Sequence, residues 1–294
     1  MLAIGQTGPF SREPMQLIRH RPAAPLDRYV HCFWWSRRED PQDYCEHILP
    51  SGAVQLLFAL HQTPIICVPG QPSHPPIEWS GSVVHGPQWR YYVAGPKPRG
   101  GVAGVAFRQG AAGAVLGVPA AELADCHVTL DSLWGRRGQS LHEQLMAAKD
   151  PLSVFQALEQ SLIARIQRPL LMHPAVANAL SPRWSAEPSV RIADIQRGTG
   201  YSPRHFIALF RAAVGLTPKH YYRIRRFNQV ARCLASRADF DLAEVAAELG
   251  YSDQAHLTRE FRELSGVAPT QYRPAGADRV LHHRSSPALE SRIR

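Results

Sequence analysis

Residues 242–273 read LAEVAAELGYSDQAHLTREFRELSGVAPTQYR, and this stretch decides the fold of the C-terminal part of the chain. A short apolar helix pattern runs up to Gly250, and Ser252 then offers an N-cap for a second helix. From Leu257 to Leu264 apolar residues recur four and three positions apart, which predicts that the second helix buries one face. Two helices joined by a glycine turn form the helix-turn-helix arrangement, whose second helix enters the major groove of DNA.

The same pattern occurs a second time, further upstream in the chain. Ile192–Ile195 corresponds to Leu242–Val245 at an offset of 50, and Gly215 corresponds to Gly266 at an offset of 51. Ser202 is followed by a proline, which is an N-cap with proline at the first helical position. Helical hairpins with glycine turns also occur in proteins that bind no DNA. Two copies in succession nevertheless favour the interpretation that this part of the chain binds DNA.

The outer faces of the two second helices carry the candidate base-reading residues. They are Arg204, Ile207, Ala208, Arg211, Gln254, Ala255, His256, Thr258 and Arg259. Arg259 is the strongest of them, since an arginine can hold guanine with two hydrogen bonds. Ile207 and Ala208 offer only apolar contact, for example with a thymine methyl group, so the first helix is expected to read less sequence information.

Basic residues are concentrated from the second helix of the first copy to the start of the second copy. Residues 204–237 contain eight Lys and Arg and no Asp or Glu, within a chain of 294 residues and net charge +9. Such a stretch suits a polyanion, although a solvated helix face would carry the same charges. The side chains expected at phosphate groups are Ser202, Lys219, Arg223, Arg225, Arg226, Ser252, Arg262 and Arg273. Apolar spacings of three and four between Tyr221 and Leu234 predict a rigid linker helix between the units.

Residues 189–273 resemble the DNA-binding module of the AraC/XylS family of bacterial transcription regulators. The second copy carries the resemblance at Ala243, Ala246, Gly250, Tyr251, Ser252, Phe261, Gly266, Pro269, Tyr272 and Arg273. The first copy departs from the family at Gln196, where a small apolar residue is usual. The resemblance implies a transcription regulator with double-stranded DNA as its partner, RNA polymerase as a further candidate partner, and no catalytic activity.

The first part of the chain differs in composition and pattern, since it has many prolines and short apolar runs. The candidate strands are Val30–Trp35, Val54–Leu60, Ile65–Val68, Trp79–Val84, Arg90–Val93 and Val102–Phe107. They predict a β-sandwich or small barrel, and two helical patterns follow at Leu141–Ala148 and Leu152–Gln167. The stripe Phe155, Leu158, Leu162 and Ile166 on the second helix is either a homodimerisation surface or a face that packs on the barrel.

This part is similar to a cupin-like domain of unassigned ligand that often precedes AraC-type modules, as Leu49–Gly52 and Val105–Arg108 illustrate. The similarity implies a sensor that binds a small-molecule effector, dimerises, or does both. Aromatic residues suggest an apolar or aromatic effector, although plain core packing would use the same residues. The effector-pocket candidates are Phe33, Trp35, Trp79 and Tyr91.

Little in the sequence argues for an enzyme or a cofactor. No His-x-His pair occurs, and the closest approach to a metal site is Cys45-Glu46-His47 with His61 and His85 on later strands. We therefore expect no metal and no cofactor. No signal peptide and no apolar run long enough to span a bilayer is present, so we expect a cytoplasmic protein without membrane attachment.

The fold expected from these observations is a two-domain α+β arrangement. The N-terminal domain is a β-rich, cupin-like barrel or sandwich with added helices, and the C-terminal domain is all-α with two helix-turn-helix units. The expected boundaries are a sensor over 1–130, a helical connector over 131–184, the DNA-binding domain over 185–274 and a mobile tail over 275–294. The alternative is an effector-binding or metal-dependent enzyme barrel whose C-terminal helices form a protein-interaction module.

Overall fold

The computed structural model describes residues 3–4, 15–41, 44–70, 75–97, 99–166, 171–186, 191–236 and 241–284. Within this part of the chain, the strands form two antiparallel sheets. The strands are β1 (Ala3–Ile4), β2 (Met15–His20), β3 (Val30–Arg38), β4 (Glu46–Ile48), β5 (Gln55–Leu60), β6 (Ile65–Pro69), β7 (Ile77–Trp79), β8 (Ser82–His85), β9 (Tyr92–Ala94), β10 (Gly100–Phe107), β11 (His127–Thr129) and β12 (His282–Arg284). One sheet has the order β1-β2-β3-β10-β5-β8-β11, and the other has the order β12-β4-β9-β6-β7.

Helices follow the last long strand of the N-terminal part. They are α1 (Ala112–Leu116), α2 (Leu130–Trp134), α3 (Arg136–Ala147), α4 (Pro151–Arg165), α5 (Pro174–Ala179), α6 (Pro182–Ala186), α7 (Ile192–Arg197), α8 (Pro203–Val214), α9 (Pro218–Ser236), α10 (Leu242–Glu248) and α11 (Gln254–Ser265). Short 3-10 helices lie at Leu26–Arg28, Ala120–Leu123 and Pro269–Gln271. The predicted two-domain α+β fold, with two helix-turn-helix units and a linker helix between them, is confirmed.

The seven-stranded sheet has a different partner on each face. Phe33 and Trp35 of β3 point to one face, where they join a core with helices α1 to α4. Trp34 points to the other face, which packs against the five-stranded sheet. This alternation follows from the period of two along a strand. The N-terminal domain therefore has three layers: helices, the large sheet and the small sheet.

Helix α4 shows why the apolar stripe exists. Phe155, Leu158 and Leu162 are at most 1% exposed and belong to the core of the large sheet, with the ring of Phe155 stacked 6.4 Å from that of Phe33. Because the protein's own sheet covers this stripe, the alternative of a homodimerisation surface formed by these residues is wrong. The alternative, a helix packed on its own barrel, is what the structure has.

Strand positions agree with the sequence pattern where apolar runs are long and differ where they are short. The segment predicted as Trp79–Val84 is two strands, β7 and β8, because Gly81 turns the chain with φ +73°. The strand expected at Arg90–Val93 begins two residues later as β9. Short strands with mixed polarity, such as β4 and β11, gave no recognisable pattern in the sequence.

The helices of the predicted connector, residues 131–184, do not all pack against the same domain. Helices α2 to α4 pack on the large sheet, whereas Ala175, Val176 and Ala179 of α5 pack with α8 of the first helix-turn-helix unit. By its packing α5 therefore belongs with the C-terminal domain.

The described part of the tail is ordered, which corrects the expectation of a mobile tail over 275–294. Strand β12 pairs antiparallel with β4, and His283 lies opposite His47. The tail also supplies Arg279, whose guanidinium group donates to the Glu46 carboxylate at 2.6 Å. Residues 285–294 lie outside the described part. The tail is held because it completes the small sheet and brings a cation to a buried acid.

Glu46 is the centre of this buried cluster. Its side chain is 0% exposed and accepts hydrogen bonds from Lys97, Arg279 and His282. Burial alone would raise the pKa of Glu46, but the charges of Lys97, Arg279 and the hydrogen bond from His282 hold it well below its usual value. The carboxyl group of Glu46 is therefore ionised, and its buried charge is stabilised by cations from two distant segments of the chain.

Replacement of Arg279 with methionine tests this role of the tail. The Arg279→Met variant leaves Glu46 buried with Lys97 as its remaining cation, so we expect a loss of about 2 kcal/mol in the free energy of unfolding. The exposed Arg137 of α3 gives the matched control, and Arg137→Met is expected to change stability by less than about 0.5 kcal/mol. Urea unfolding of both variants measures the difference. Equal stability of the two would show that the tail only lies against the sheet.

Candidate nucleic-acid interface

The first helix-turn-helix unit consists of α7 and α8. The Ser202 hydroxyl accepts from the backbone N–H of His205 at 3.3 Å, and Pro203 occupies the first position of α8. Phe206 and Phe210 are fully buried against α5 and α7. This cap and this buried face fix the orientation of α8, so that the opposite face is turned to solvent.

The second unit consists of α10 and α11. Asp253, one residue after the predicted cap Ser252, accepts from the backbone N–H of His256 at 2.6 Å and is the N-cap of α11. An acid at this position also interacts favourably with the positive end of the helix dipole. Leu257 and Phe261 are buried against α9 and α10. The two units are therefore built alike, as the sequence repeat predicts.

The candidate base-reading side chains lie on the outer faces of α8 and α11. Those of the first unit are all exposed: Arg204, Ile207, Ala208 and Arg211. In the second unit Gln254, Ala255 and Arg259 are exposed, whereas His256 and Thr258 are half-buried. His256 lies within hydrogen-bond distance of the Ser252 hydroxyl, with 3.1 Å between Nδ1 and Oγ. Ile207 is an unusual surface residue, since 41% of this large apolar residue is exposed.

Helix α9 joins the units and buries one face along its length. Tyr221 and Ile224 pack in the core of the first unit, while Phe227 and Val230 pack in the core of the second. The helix spans 19 residues and has no internal break, so its two ends cannot rotate independently. The predicted rigid linker helix is confirmed.

A buried acid on α11 organises the contact between the second unit and α9. Glu260 is 5% exposed and accepts from Nε of Arg223 at 2.8 Å and from Arg226 at 3.0 Å. The Tyr251 hydroxyl donates to the same carboxylate at 2.9 Å. Burial would raise the pKa of Glu260, but the hydrogen bonds and charges of Arg223 and Arg226 lower it below the usual value.

Two of the candidate phosphate contacts, Arg223 and Arg226, belong to this cluster. Arg223 also pairs with Glu263 at 2.7 Å, and the guanidinium group of Arg226 lies 4.1 Å from the centre of the Tyr251 ring. Both arginines are thus engaged with groups of the protein itself, and their contact with phosphate stays a prediction. No local pattern in the sequence signals this cluster, because Glu260 and Glu263 lie outside the acid-free basic stretch, 34 to 40 residues from the arginines that they bind.

Most of the other candidate phosphate-contacting residues are exposed, and some of them donate hydrogen bonds within the protein. Lys219, Arg262 and the two hydroxyl residues Ser202 and Ser252 are exposed. Arg273 is exposed as well, and its guanidinium group donates to the carbonyl oxygens of Thr270 and Tyr272. Arg225 is half-buried and donates to the Tyr221 hydroxyl at 3.1 Å. The exposed cations Arg204, Arg211, Lys219, Arg232, Arg259 and Arg262 give the C-terminal domain a basic surface that can contact a polyanion.

The N-terminal domain contains a cavity of about 1040 Å³ between the two sheets. Of the four effector-pocket candidates only Trp79 lines it, together with Trp34 and Tyr92. Phe33 and Trp35 point to the helical layer instead, and Tyr91 stacks on His47 with 4.7 Å between ring centres. The alternation along β3 was predicted correctly, but the cavity lies on the face of Trp34.

The cavity also has a polar lining, which the four effector-pocket candidates did not include. Arg38, Lys97 and Arg279 line it, and the Glu46 carboxylate lies beside them. His85 also lines it, is 5% exposed, and has no hydrogen-bond partner for Nε2 among the described residues. In that same part of the chain, no group of three or more His, Cys, Asp or Glu could hold a metal ion. None of the described helices has both the length and the apolar character to cross a membrane.

Comparison with known proteins connects this arrangement to a family. Residues 196–275 match a family described as a helix-turn-helix domain, and residues 18–129 match a domain of unknown function. PqrA of Proteus vulgaris, a probable transcription factor, is 31% identical over 87 residues that cover 30% of this chain and 70% of PqrA. The arabinose operon regulatory protein of Escherichia coli is 24% identical over 151 residues, or 49% of each chain.

Among solved structures, ToxT from Vibrio cholerae aligns with a TM-score of 0.40 at 10% identity, over 87% of this chain and 96% of ToxT. The chain spans about half the length of the arabinose operon regulatory protein, and the match covers 33% of LumQ from Photobacterium leiognathi. Two helix-turn-helix units joined by a shared helix, behind a β-rich domain, define a class of DNA-binding regulators. Within that class, the chain belongs to the AraC/XylS family of transcription regulators.

Replacement of Glu260 with glutamine tests the cluster that holds α11 on α9. Glu260→Gln leaves two arginines without their shared acid, so we expect a loss of about 2–3 kcal/mol in the free energy of unfolding at pH 7. Glu263→Gln on the same helix is the matched control, because Glu263 is 38% exposed and such pairs contribute at most about 1 kcal/mol. Urea unfolding measures both variants.

The same pair of variants has an expected pH dependence. Since the pKa of Glu260 is lowered in the folded protein, its contribution is fully present above the unfolded pKa of about 4.3 and is lost as pH falls below it. The difference in stability between wild type and Glu260→Gln should therefore shrink below about pH 4. A difference that is constant from pH 7 to pH 3 would contradict the role of the ionised carboxylate.

Proposed function

We propose that this protein is a sequence-specific DNA-binding transcription regulator that reads two successive major grooves with α8 and α11. The observation that carries the proposal is the pair of capped helices on one rigid linker helix, each with an exposed polar or basic outer face. Successive grooves on one side of DNA are about 34 Å apart, so two readers need a fixed separation. A buried helix shared by both units supports such a separation.

We propose a division of the contacts on this surface, in which some residues bind bases and others bind phosphates. Arg259 lies one turn past Ala255 on the outer face of α11, where its guanidinium group can reach a base edge. Arg262 lies on the last turn of the same helix and is proposed to contact phosphate. In the first unit, Arg204 and Arg211 flank the apolar pair Ile207 and Ala208, which favours thymine methyl groups over hydrogen-bonded bases.

Arg259→Ala and Arg262→Ala form a matched pair that tests this division. The probe is a duplex selected from a random-sequence pool by the full-length protein, compared with an unrelated duplex. Arg259→Ala should weaken binding to the selected duplex by about 1–3 kcal/mol and leave the unrelated duplex nearly unaffected. Arg262→Ala should weaken both duplexes alike and reduce the salt dependence by about one unit of slope. Equal effects of the two variants would contradict the division.

A salt titration in the same experiment separates a regulator from the rival interpretation, a barrel enzyme whose helices bind other proteins. If the exposed cations contact phosphates, affinity for duplex DNA must fall steeply with rising salt, because counterions are released on binding. Absence of duplex binding at low salt would favour the protein-interaction module.

The N-terminal cavity is proposed to bind a small-molecule effector, and its charges favour an organic anion with an apolar body. The cluster around Glu46 contains two cations, Lys97 and Arg279, against one acid. Burial lowers the pKa of His282 to about 4, so this histidine adds no charge at neutral pH. Within this cluster one positive charge is therefore left, and Arg38 adds a further cation to the cavity lining, which also has aromatic walls formed by Trp34 and Trp79. A ligand carboxylate would neutralise it, and buried charges are stable only when paired.

Thermal unfolding with 4-phenylbutanoate and its neutral amide tests this preference. We expect the acid to stabilise the protein, by about 1.4 kcal/mol at ten times its Kd, and the amide to have no effect. Lys97→Met removes one of these cations and should weaken the stabilisation by the acid. An equal shift with acid and amide, or no shift with either, would contradict the proposed ligand class.

A further inference from the structure

A single loop of the N-terminal domain, residues 86–91, contacts both helix-turn-helix units at equivalent positions. Gly215 and Gly266 end α8 and α11 in the left-handed conformation, with φ +84° and +79°. A Cβ atom on Gly215 would lie 2.3 Å from Cγ of Pro87, and one on Gly266 would lie 2.4 Å from Cζ of Tyr91. The two repeat-equivalent glycines therefore rest on the same loop, and neither contact has room for a methyl group.

The loop also binds the helices between and beside these glycines. The backbone N–H of Tyr91 donates to the carbonyl oxygen of Leu264 at 3.1 Å, in the last turn of α11. The ring of Trp89 stacks on His220 of α9 with 4.8 Å between centres and 3° between planes. Loop 86–91 thus touches the first unit, the linker helix and the second unit.

A strand next to this loop adds one more contact to α11. The imidazole Nδ1 of His47 on β4 donates to the carbonyl oxygen of Ser265 at 2.8 Å, and the same ring stacks on Tyr91. Carbonyl groups at the end of a helix have no partner within the helix. The N-terminal domain supplies the partners of these carbonyl groups for α11, which holds the C-terminal end of the helix in place.

From this geometry, and resting on the proposed DNA-binding function, we infer that Pro87, Trp89 and Tyr91 are positioning residues for DNA binding. They hold the C-terminal ends of both recognition helices, whereas base contacts come from the N-terminal parts of such helices. The loop therefore fixes the relative placement of α8 and α11 without covering the proposed DNA surface. Helix α9 sets the distance between the units, and loop 86–91 restrains their rotation about it.

The ends of the loop connect this restraint to the cavity. His85 and Tyr92 flank the loop and line the cavity, and the Tyr92 hydroxyl lies 3.2 Å from Nδ1 of His85. Burial, with a smaller effect of His127, holds the pKa of His85 well below its usual value, so the ring that meets the Tyr92 hydroxyl is neutral. A ligand in the cavity contacts the two residues that anchor the loop, and so acts on both recognition helices at once.

The test uses the full-length protein and the duplex that it selects from a random-sequence pool. Binding is measured on that duplex and on versions with one or two base pairs inserted between the two recognised half-sites. Wild type should prefer its own spacing strongly. In Gly266→Ala and Gly215→Ala the added methyl group pushes a unit away from the loop. Each variant should lower this spacing preference by about tenfold, which is less than the full avidity gained by linking two binding units in a fixed geometry. Tyr91→Ala removes the ring without placing alanine at a positive φ and should lower the preference in the same direction.

Two matched controls separate the contact from backbone strain. Gly200→Ala in the first unit and Gly81→Ala in the N-terminal domain also place alanine at φ +73°, but a Cβ atom at either position meets nothing within 4 Å. Both should keep the wild-type spacing preference. Thermal unfolding identifies any variant that fails to fold. If a glycine variant fails to fold, the spacing preference of Tyr91→Ala decides whether the loop contact positions the units.

The outcomes distinguish this inference from the proposed function. If wild type selects no duplex, the DNA-binding function fails and the inference fails with it. If wild type prefers one spacing and the loop variants retain that preference, the loop has no positioning role and the DNA-binding function stands. A loss of affinity that is equal at all spacings would likewise overturn the inference, because it would show that the contact only stabilises the fold.

Discussion

The buried carboxylate of Glu260 is the interaction on which the geometry of the DNA-binding domain depends. It lies on α11 and binds Arg223 and Arg226 of α9, so the second recognition helix is attached to the helix that both units share. Removing one member of such a cluster leaves a buried charge without its partner, which costs more than the contact itself contributes. The orientation of α11 is therefore fixed by a polar contact inside an otherwise apolar interface.

The apolar contacts of α9 complete this arrangement. Its first half belongs to the core of the first unit and its second half to the core of the second. The N-terminal domain then contacts the ends of α8 and α11 through one loop, so that the cavity, the loop and the two recognition helices form a continuous path. The proposed effector would act on DNA binding along this path, through packed residues and hydrogen bonds.

Much of the C-terminal domain could be predicted from the sequence, because helices with one buried face repeat their apolar residues at a fixed period. Leu257, Phe261 and Leu264 were placed on the buried side by spacing alone, and the structure buries all three. The role of Glu260 could not be predicted in this way. An acid on a helix looks the same in sequence whether it faces solvent or two arginines of another helix, since the partners are 34 and 37 residues away.

The β-rich domain was less predictable for a related reason. Alternation along β3 separates Trp34 from Phe33 and Trp35, but it cannot tell which face meets helices and which meets the cavity. The tail likewise lacks periodicity, and its order comes from pairing between β12 and β4 and from the bond of Arg279 to Glu46, across 233 residues. Contacts of this range leave no local pattern in the sequence.

Hydroxyl-radical footprinting of the full-length protein on its selected duplex tests the central claim most directly. The account predicts two protected patches on one side of the duplex, with centres about one helical turn, or 10 base pairs, apart. Protection in the patch of the first unit should respond to Arg204→Ala and Arg211→Ala, and protection in the other to Arg259→Ala. A single protected patch, or two patches on opposite sides of the duplex, would contradict a protein that reads successive major grooves with α8 and α11.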